Sequence, residues 1–152
     1  MTGWSKRYID LAEHISSWSK DPSRKIGAVA VGADGQILSV GYNGFPRGIT
    51  DDERLNTRET KYALVVHAEM NAIYNATLTG TSLRNSTLYV YGLPVCSDCA
   101  RGVIQVGIKK VVMNYDPNVP EVWQKHWDKT KAMFDEAGIQ YEFLFEETHE
   151  PD

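Results

Sequence analysis

Two short segments of the sequence carry side chains that can bind a metal ion. His67 and Glu69 place an imidazole and a carboxylate close together, and Cys96 and Cys99 place two thiols at C-x-x-C spacing. Three nitrogen and sulfur ligands with one open position are typical of a catalytic zinc ion, whereas a structural zinc ion normally takes a fourth protein ligand. The chain has 2 cysteines, so a site closed by thiolates alone is excluded. We predict one zinc ion per chain, held by His67, Cys96 and Cys99.

The carboxylate of Glu69 distinguishes a catalytic site from a structural or redox site. A C-x-x-C pair alone is also compatible with a redox pair. H-x-E followed by C-x-x-C is the pattern of zinc-dependent nucleobase deaminases, in which the glutamate is a general acid and base and not a ligand. A structural zinc site has no use for an unligated carboxylate at this position. We therefore predict that Glu69 is the catalytic proton-transfer group.

Composition and charge restrict the class of protein. With 152 residues, of which 42% are hydrophobic, the chain is expected to form one domain over residues 1–152. The net charge of −4 argues against a large nucleic-acid surface. The sequence contains neither an apolar run of transmembrane length nor a signal-peptide core. Two cysteines at zinc spacing suit a reducing compartment, so we expect a cytoplasmic protein without membrane segments.

Hydrophobic periodicity predicts the elements that must position these residues. Apolar spacings of three and four predict helices over residues 4–19, 67–77, 97–106 and 122–137. Small and β-branched runs predict strands over residues 26–31, 37–42, 87–91, 110–113 and 141–145. The first two strands are expected to form a hairpin around Asp34-Gly35.

Two polar segments lack such periodicity. The one from residue 43 to residue 59 is expected to be a long loop, and the acidic tail after residue 145 is expected to fray. Strands separated by helices usually run parallel and are covered on both faces. We predict an α/β fold with three α/β/α layers and a mixed sheet of about five strands. Both ligand segments then lie where loops enter helices, the usual place for ligands in open α/β sheets.

Longer motifs identify a family. H-A-E-x-N-A-I at residues 67–73 and C-x-x-C-A at residues 96–100 mark the cytidine-deaminase-like superfamily, and G-Y-N-G at residues 41–44 before a polar insert points to one branch. The chain resembles the deoxycytidylate (dCMP) deaminases of that superfamily. Shorter matches extend from Ser19 to Val111, so the resemblance spans nearly the whole chain. One position departs from the family pattern, because Val95 separates Pro94 from the first zinc cysteine.

The resemblance implies hydrolytic deamination of dCMP to dUMP with release of ammonia, which feeds thymidylate synthesis. The departure at Val95 leaves a 5-substituted deoxycytidylate open as the substrate. A second alternative is a nucleic-acid deaminase that acts on tRNA adenosine or on single-stranded cytosine. Such enzymes need basic grooves or stacking aromatic residues along a strand, and the acidic balance argues against them.

Candidate substrate-binding residues follow from the charge of a nucleotide. A phosphate needs cationic or amide donors, and Arg24 and Lys25 lie immediately before the first strand. Arg47 in the G-Y-N-G-F-P-R-G loop and Tyr115 at the end of the fourth strand are further candidates. The resemblance implies that Asn43 contacts the deoxyribose.

The resemblance also implies regulation and assembly. It suggests a homo-hexamer that is activated by dCTP and inhibited by dTTP, with Mg2+ bound alongside the effector nucleotide. The effector would lie between subunits near Gly41, Tyr42, Gly44 and Asn71. A second zinc ion, which occurs in some viral members, is not expected because the polar insert lacks the extra Cys and His.

Overall fold

The structure is a computed structural model, and it describes residues 3–144 of the chain. Its helices and strands follow in the order α1 (Gly3–Ser16), β1 (Gly27–Val31), β2 (Ile37–Tyr42), a 3-10 helix (Glu53–Asn56), α2 (Arg58–Leu64), α3 (Ala68–Thr79), β3 (Thr87–Tyr91), α4 (Ser97–Gln105), β4 (Lys110–Asn114), α5 (Glu121–Ala137) and β5 (Gln140–Phe143). Between residues 3 and 144, no helix is long and apolar enough to cross a membrane.

The strands form one mixed sheet in the order β2-β1-β3-β4-β5. β1 runs antiparallel to both of its neighbours, whereas β3, β4 and β5 run parallel to one another. β2 and β3 therefore point the same way but are separated by β1, so the connection through α3 passes over one strand. The predicted mixed five-stranded sheet is confirmed.

Helices cover both faces of this sheet, as predicted. Alternate residues of β1 face opposite layers, because successive side chains of a strand point to opposite sides. Val29 and Val31 pack with Ile9 and Ala12 of α1. On the other face, Ala28 and Ala30 belong to the larger core, whose other members include residues of α3, α4 and α5. Full burial of a large apolar side chain such as Phe134 contributes about 1.5–3 kcal/mol.

Gly41 permits a close approach between β2 and α3. A Cβ atom at this position would collide with the backbone nitrogen of Ala72 and with the carbonyl oxygen of Ala68. Because Ala68 begins α3, this contact sets how closely the first turn of α3 lies against the sheet. The backbone at Gly41 therefore helps to position the ligand segment that starts at His67.

The structure differs from the prediction at two places, the end of the first helix and the polar insert. The first helix ends at Ser16 rather than near residue 19. The hydroxyls of Ser16 and Ser17 donate to the carbonyl oxygens of Glu13 and His14, and such bonds offer the backbone an alternative to the helix. The polar insert is not a plain loop, because it forms the 3-10 helix and α2. These two short helices bury only Leu55 and Lys61, so no apolar stripe reveals them in the sequence.

The remaining elements agree with the prediction to within about two residues at each end, the usual uncertainty of helix boundaries. Gly138 ends α5 in the left-handed conformation, with φ 77°. The last predicted strand is observed over Gln140–Phe143. Its predicted final residue, Phe145, and the acidic tail lie outside the described residues.

Candidate active site

The predicted metal ligands lie at the starts of two neighbouring helices. His67 is the residue immediately before α3 and Cys96 is the residue immediately before α4, and both have extended backbone conformations. Cys99 lies in the first turn of α4. The amide groups at a helix start lack partners within the helix and favour negative charge, which stabilises thiolates there. Contacts between α3 and α4 bring the two ligand segments together.

The three ligand atoms form a compact group. The Nδ1 atom of His67 lies 3.3 Å from the Sγ atom of Cys99 and 3.4 Å from the Sγ atom of Cys96. All three atoms lie within 4.8 Å of one another. Tetrahedral coordination, with zinc–sulfur bonds of about 2.3 Å and zinc–nitrogen bonds of about 2.0 Å, separates nitrogen and sulfur by roughly 3.5 Å. The group therefore fits a zinc ion, with Nδ1 of His67 as the nitrogen ligand.

The proton affinities of the three ligand groups are linked by the hydrogen bonds between them. A hydrogen bond from Cys99 lowers the pKa of Cys96 to about 4, and the same bond raises the pKa of Cys99. The bond between His67 and Cys96 raises the pKa of His67 to about 9. The three groups thus share protons through their mutual hydrogen bonds. A divalent cation binds such ligands by replacing their protons, so binding releases protons.

Glu69 lies in the first turn of α3 and is 5% exposed. Burial raises the pKa of its carboxyl group to about 7, and the neighbouring charge of Cys96 acts in the same direction. A carboxyl group with a pKa near neutrality can both accept and donate a proton. The side chain lines the same cavity as His67 and Cys96.

That cavity, here called the inner hollow, is small, with a volume of about 60 Å³. Its lining includes His67, Cys96 and Glu69, polar residues from the segment before β1, and apolar side chains. These residues are Asp21, Arg24, Ile26, Asn43, Lys61, Tyr62, Val65, His67, Ala68, Glu69, Leu93, Pro94, Cys96 and Trp123. The inner hollow therefore offers a restricted, mainly apolar chamber with proton-transfer and metal-binding groups at one end.

A second cavity, the outer hollow, adjoins it and has a volume of about 440 Å³. Four residues line both cavities: Arg24, Lys61, Tyr62 and Trp123. Arg58 adds a further cation to the outer hollow, and none of the described residues that line it is acidic. The two cavities together suit an elongated ligand that is compact at one end and anionic at the other.

A buried ion pair connects α2 to the segment before β1. Lys61 Nζ donates to Asp21 Oδ1 at 3.3 Å and to Ser23 Oγ at 3.0 Å. The Asp21 carboxylate also accepts from the backbone nitrogens of Ser23 at 2.8 Å and Arg24 at 3.2 Å. The side chains of Lys61 and Asp21 are only 8% and 4% exposed. This network holds the backbone of Arg24 beside the inner hollow.

Asn43 braces the same segment from the other side. Its Oδ1 atom accepts from the backbone nitrogen of Ile26 at 2.8 Å, and its Nδ2 atom donates to the carbonyl oxygen of Arg24 at 2.8 Å. Asn43 also lines the inner hollow. The predicted contact with a deoxyribose stays a prediction, and the observed bonds show that the side chain positions the entry into β1.

The predicted phosphate-binding residues are not all brought together. Arg24 lies where the two hollows meet. Lys25 instead directs its Nζ atom to the carbonyl oxygen of Ser19. The guanidinium of Arg47 donates to Asn75, and the ring of Tyr115 packs against Phe143. Arg24 is thus the predicted cation that the structure places between the zinc-ligand group and open space.

Arg47 lines a third cavity, the side hollow, of about 490 Å³. Three of the four residues predicted to bind an effector, Tyr42, Gly44 and Asn71, also line it. Asn71 Nδ2 donates to the carbonyl oxygen of Tyr42 at 2.7 Å, whereas Gly41 is buried against α3. The structure therefore gathers most of these residues at one place, which is distinct from the inner hollow.

Four residues of the inner and outer hollows were missed as site residues by sequence reasoning: Arg58, Lys61, Tyr62 and Trp123. Arg58 and Lys61 belong to α2, which has no apolar pattern to reveal it. Lys61-Tyr62 did appear among the residues of the family resemblance, but without a role. Trp123 was assigned to the apolar face of the last helix, and nothing in its spacing separates a core residue from a cavity wall.

Comparison with known proteins defines the class. The sequence matches the cytidine and deoxycytidylate deaminase zinc-binding region over residues 2–115. The chain belongs to this family, as the motifs predicted.

Individual relatives narrow the comparison. The chain is 34% identical to the deoxycytidylate deaminase of Homo sapiens over 149 residues, which cover 91% of this chain and 78% of that protein. It is 39% identical to a deaminase of Aliivibrio fischeri, encoded in the luxG 3′ region, over 93% of each chain. Among solved structures, it resembles the dCMP deaminase of cyanophage S-TIM5 in complex with dCMP and dUMP. That likeness has a TM-score of 0.76 and 26% identity, and covers 95% of this chain and 99% of the other.

Proposed function

We propose that the protein hydrolyses dCMP to dUMP and ammonia. The observation that carries this proposal is the small metal-binding chamber, with the buried carboxyl of Glu69, that opens into a hollow lined by cations. The relatives named deoxycytidylate deaminase support the same substrate. Water supplies the oxygen that replaces the amino group at C4 of the base, so one molecule of water is consumed for each ammonia released.

The chemistry divides between the metal and the carboxyl group. Zinc, held by His67, Cys96 and Cys99, supplies a water molecule of lowered pKa when it is bound. Glu69 accepts a proton from the attacking water at a carboxylate oxygen and delivers it to N3 of the ring. Glu69 then takes the second proton from the hydroxyl formed at C4 and delivers it to the departing amine, so that a C4 carbonyl and ammonia result; a carboxyl group can do this only if it is not a metal ligand. The apolar walls, including Leu93 and Pro94, limit access of other water to the base.

The two hollows suit the two ends of a nucleotide. The pyrimidine occupies the inner hollow, where Glu69 and the metal ligands lie. The phosphate occupies the outer hollow, beside Arg24 and Arg58. Because Lys61 is paired with Asp21, the surplus positive charge comes from these two arginines. Hydrogen bonds to charged groups contribute about 1.5–3 kcal/mol each, so either arginine is worth roughly tenfold or more in specificity.

Paired assays on dCMP and deoxycytidine test the proposal. We expect wild-type protein to release ammonia far faster from dCMP. Arg24→Gln and Arg58→Gln should each lower kcat/KM for dCMP by about tenfold and leave the residual rate on deoxycytidine nearly unchanged. Arg47→Gln is the matched control, because Arg47 lies in the side hollow and is also a cation predicted to bind phosphate. Equal wild-type activity on the two substrates would refute the monophosphate specificity.

A 5-substituted deoxycytidylate is the second candidate substrate. The turn before Cys96 is the observation that supports it. Val95 is fully buried, and its carbonyl oxygen accepts from Thr130 Oγ1 at 2.9 Å. Its neighbours Leu93 and Pro94 line the inner hollow. Because Val95 separates Pro94 from Cys96, which departs from the family pattern, this wall is where tolerance of a 5-substituent would arise. Adding 5-methyl-dCMP to the substrate panel decides between the two.

The proposed regulation has separate support. We propose that an effector nucleotide, with Mg2+, binds at the side hollow in a cytoplasmic homo-hexamer that dCTP activates and dTTP inhibits. The side hollow is roomy, includes Arg47 as a cation, and is edged by Tyr74 and Leu78, which are 51% and 71% exposed. Sedimentation analysis and ammonia release, each measured without effector, with dCTP and with dTTP, test this proposal; a monomer indifferent to both nucleotides would refute it.

A further inference from the structure

One face of α5 packs against α4 and against the turn that carries Cys96. Four of its residues, Trp123, His126, Trp127 and Thr130, recur at the spacing of a single helix face. Thr130 Oγ1 donates to the carbonyl oxygen of Val95 at 2.9 Å. The hydroxyl of Ser97 and Nδ1 of His126 lie 3.1 Å apart. α5 is therefore tied to the residues on both sides of Cys96.

Trp123 stands at the end of this face nearest the site. Its indole ring packs on the imidazole of His126, with ring centres 5.7 Å apart and an angle of 33° between the planes. The anchored imidazole thereby limits how far the indole can move. Trp123 lines both the inner and the outer hollow, so it lies where the two cavities meet.

We infer that Trp123 is a specificity-determining residue that selects 2′-deoxyribose over ribose. The inference rests on the proposed function, which puts the base in the inner hollow and the phosphate in the outer hollow. The sugar must then pass the four residues shared by the two cavities: Arg24, Lys61, Tyr62 and Trp123. Two of these are cations suited to the phosphate and to polar atoms, and two are aromatic.

The chemistry of the indole provides the selection. A methylene group at C2′ packs favourably against an aromatic face. A 2′-hydroxyl in the same place loses its hydrating water, and the π face of the indole offers it only a weak acceptor in return. Burying a hydroxyl without a partner is unfavourable, so the cytidine nucleotide is disfavoured relative to its deoxy counterpart.

Trp123 lies outside the part of the chain that matches the family. The matched region covers residues 2–115, whereas α5 begins at Glu121. The metal ligands and Glu69 belong to the matched region. Trp123 therefore lies beyond the matched zinc-binding region, on the C-terminal helix α5.

Substitution of Trp123 tests the inference through steady-state kinetics on dCMP and CMP. We expect Trp123→Ala to raise KM for dCMP and to lower the preference for dCMP over CMP by about tenfold, as removal of a 1.4 kcal/mol difference would do. Trp123→Phe keeps an aromatic face and should retain most of the preference. Gln124→Ala is the matched control, because Gln124 follows Trp123 in α5 and is not among the residues that line the inner or the outer hollow. It should leave the preference unchanged.

A binding measurement covers the case in which Trp123→Ala does not fold. Addition of dUMP to the zinc-loaded protein should quench tryptophan fluorescence, and Trp123→Phe should remove most of that quenching. Persistent quenching in Trp123→Phe, or an unchanged ratio of dCMP to CMP in a folded Trp123→Ala variant, would overturn the inference. Wild-type protein inactive on dCMP would refute the proposed function, and the inference with it. An active wild type with an unaffected variant refutes the inference alone.

Discussion

The buried ion pair of Asp21 and Lys61 allows a quantitative test of how α2 supports the site. Asp21→Asn keeps the shape of the side chain and removes its charge. In the native protein the carboxylate accepts from two backbone nitrogens, from Lys61 and, at 3.5 Å, from Asn43 Nδ2, and both Asp21 and Lys61 are less than 9% exposed. The variant leaves the Lys61 ammonium with a neutral amide oxygen and with Ser23 Oγ, at 3.0 Å, as acceptors, and without a counter-charge.

The magnitude follows from the loss of one partner of a buried pair. Such a loss typically costs about 3–5 kcal/mol. Because the bond between Lys61 and Asp21 is long, at 3.3 Å, we place Asp21→Asn at the lower end, about 3 kcal/mol. Lys61→Met should cost less, about 1–2 kcal/mol, because Asp21 keeps its backbone donors. The double variant buries no charge, so its loss should be smaller than the sum by about 2 kcal/mol.

Urea unfolding of the zinc-loaded proteins measures these free energies. The matched control is the pair of Lys6 and Asp10 on α1, which is shorter at 3.0 Å but has side chains 58% and 56% exposed. Removing that exposed pair by Lys6→Met and Asp10→Asn should cost about 0.5 kcal/mol or less. A loss below about 1 kcal/mol in Asp21→Asn, or strict additivity in the double variant, would show that burial does not couple the two charges.

Three further changes test the site and its support. Glu69→Gln should bind one zinc ion per chain by elemental analysis and lose about two to four orders of magnitude in ammonia release, because an amide cannot carry the proton; turnover close to wild type would remove Glu69 from the mechanism. Cys99→Ser should lose zinc, and full retention would contradict the ligand assignment. Gly41→Ala should lower the unfolding free energy by about 1–3 kcal/mol through its collision with α3, whereas Gly44→Ala, with Tyr42 at 3.9 Å as its neighbour, should be nearly neutral.

The chemistry of the site was predictable because it depends on local spacing. His67 and Glu69 lie at the start of one helix and Cys96 and Cys99 at the start of another, so each short segment presents its groups together whatever the rest of the chain does. The ligand types then indicate the metal, and the unligated carboxyl group indicates proton transfer. The layers were predictable for a related reason, since strand and helix periodicities show which elements have an apolar face to bury.

What surrounds that chemistry was decided by tertiary contacts. No local pattern shows that β1 lies between β2 and β3, because strand pairing joins residues far apart in the chain. α2 is held by a buried charge, Lys61, whose partner Asp21 lies 40 residues earlier, so its sequence lacks an apolar stripe. Arg24 and Arg47 are equivalent as isolated cations, and only the folded chain places one at the inner hollow and the other at the side hollow. Ligand identity is a property of single residues, whereas the shape and charge of a cavity belong to elements brought together by folding.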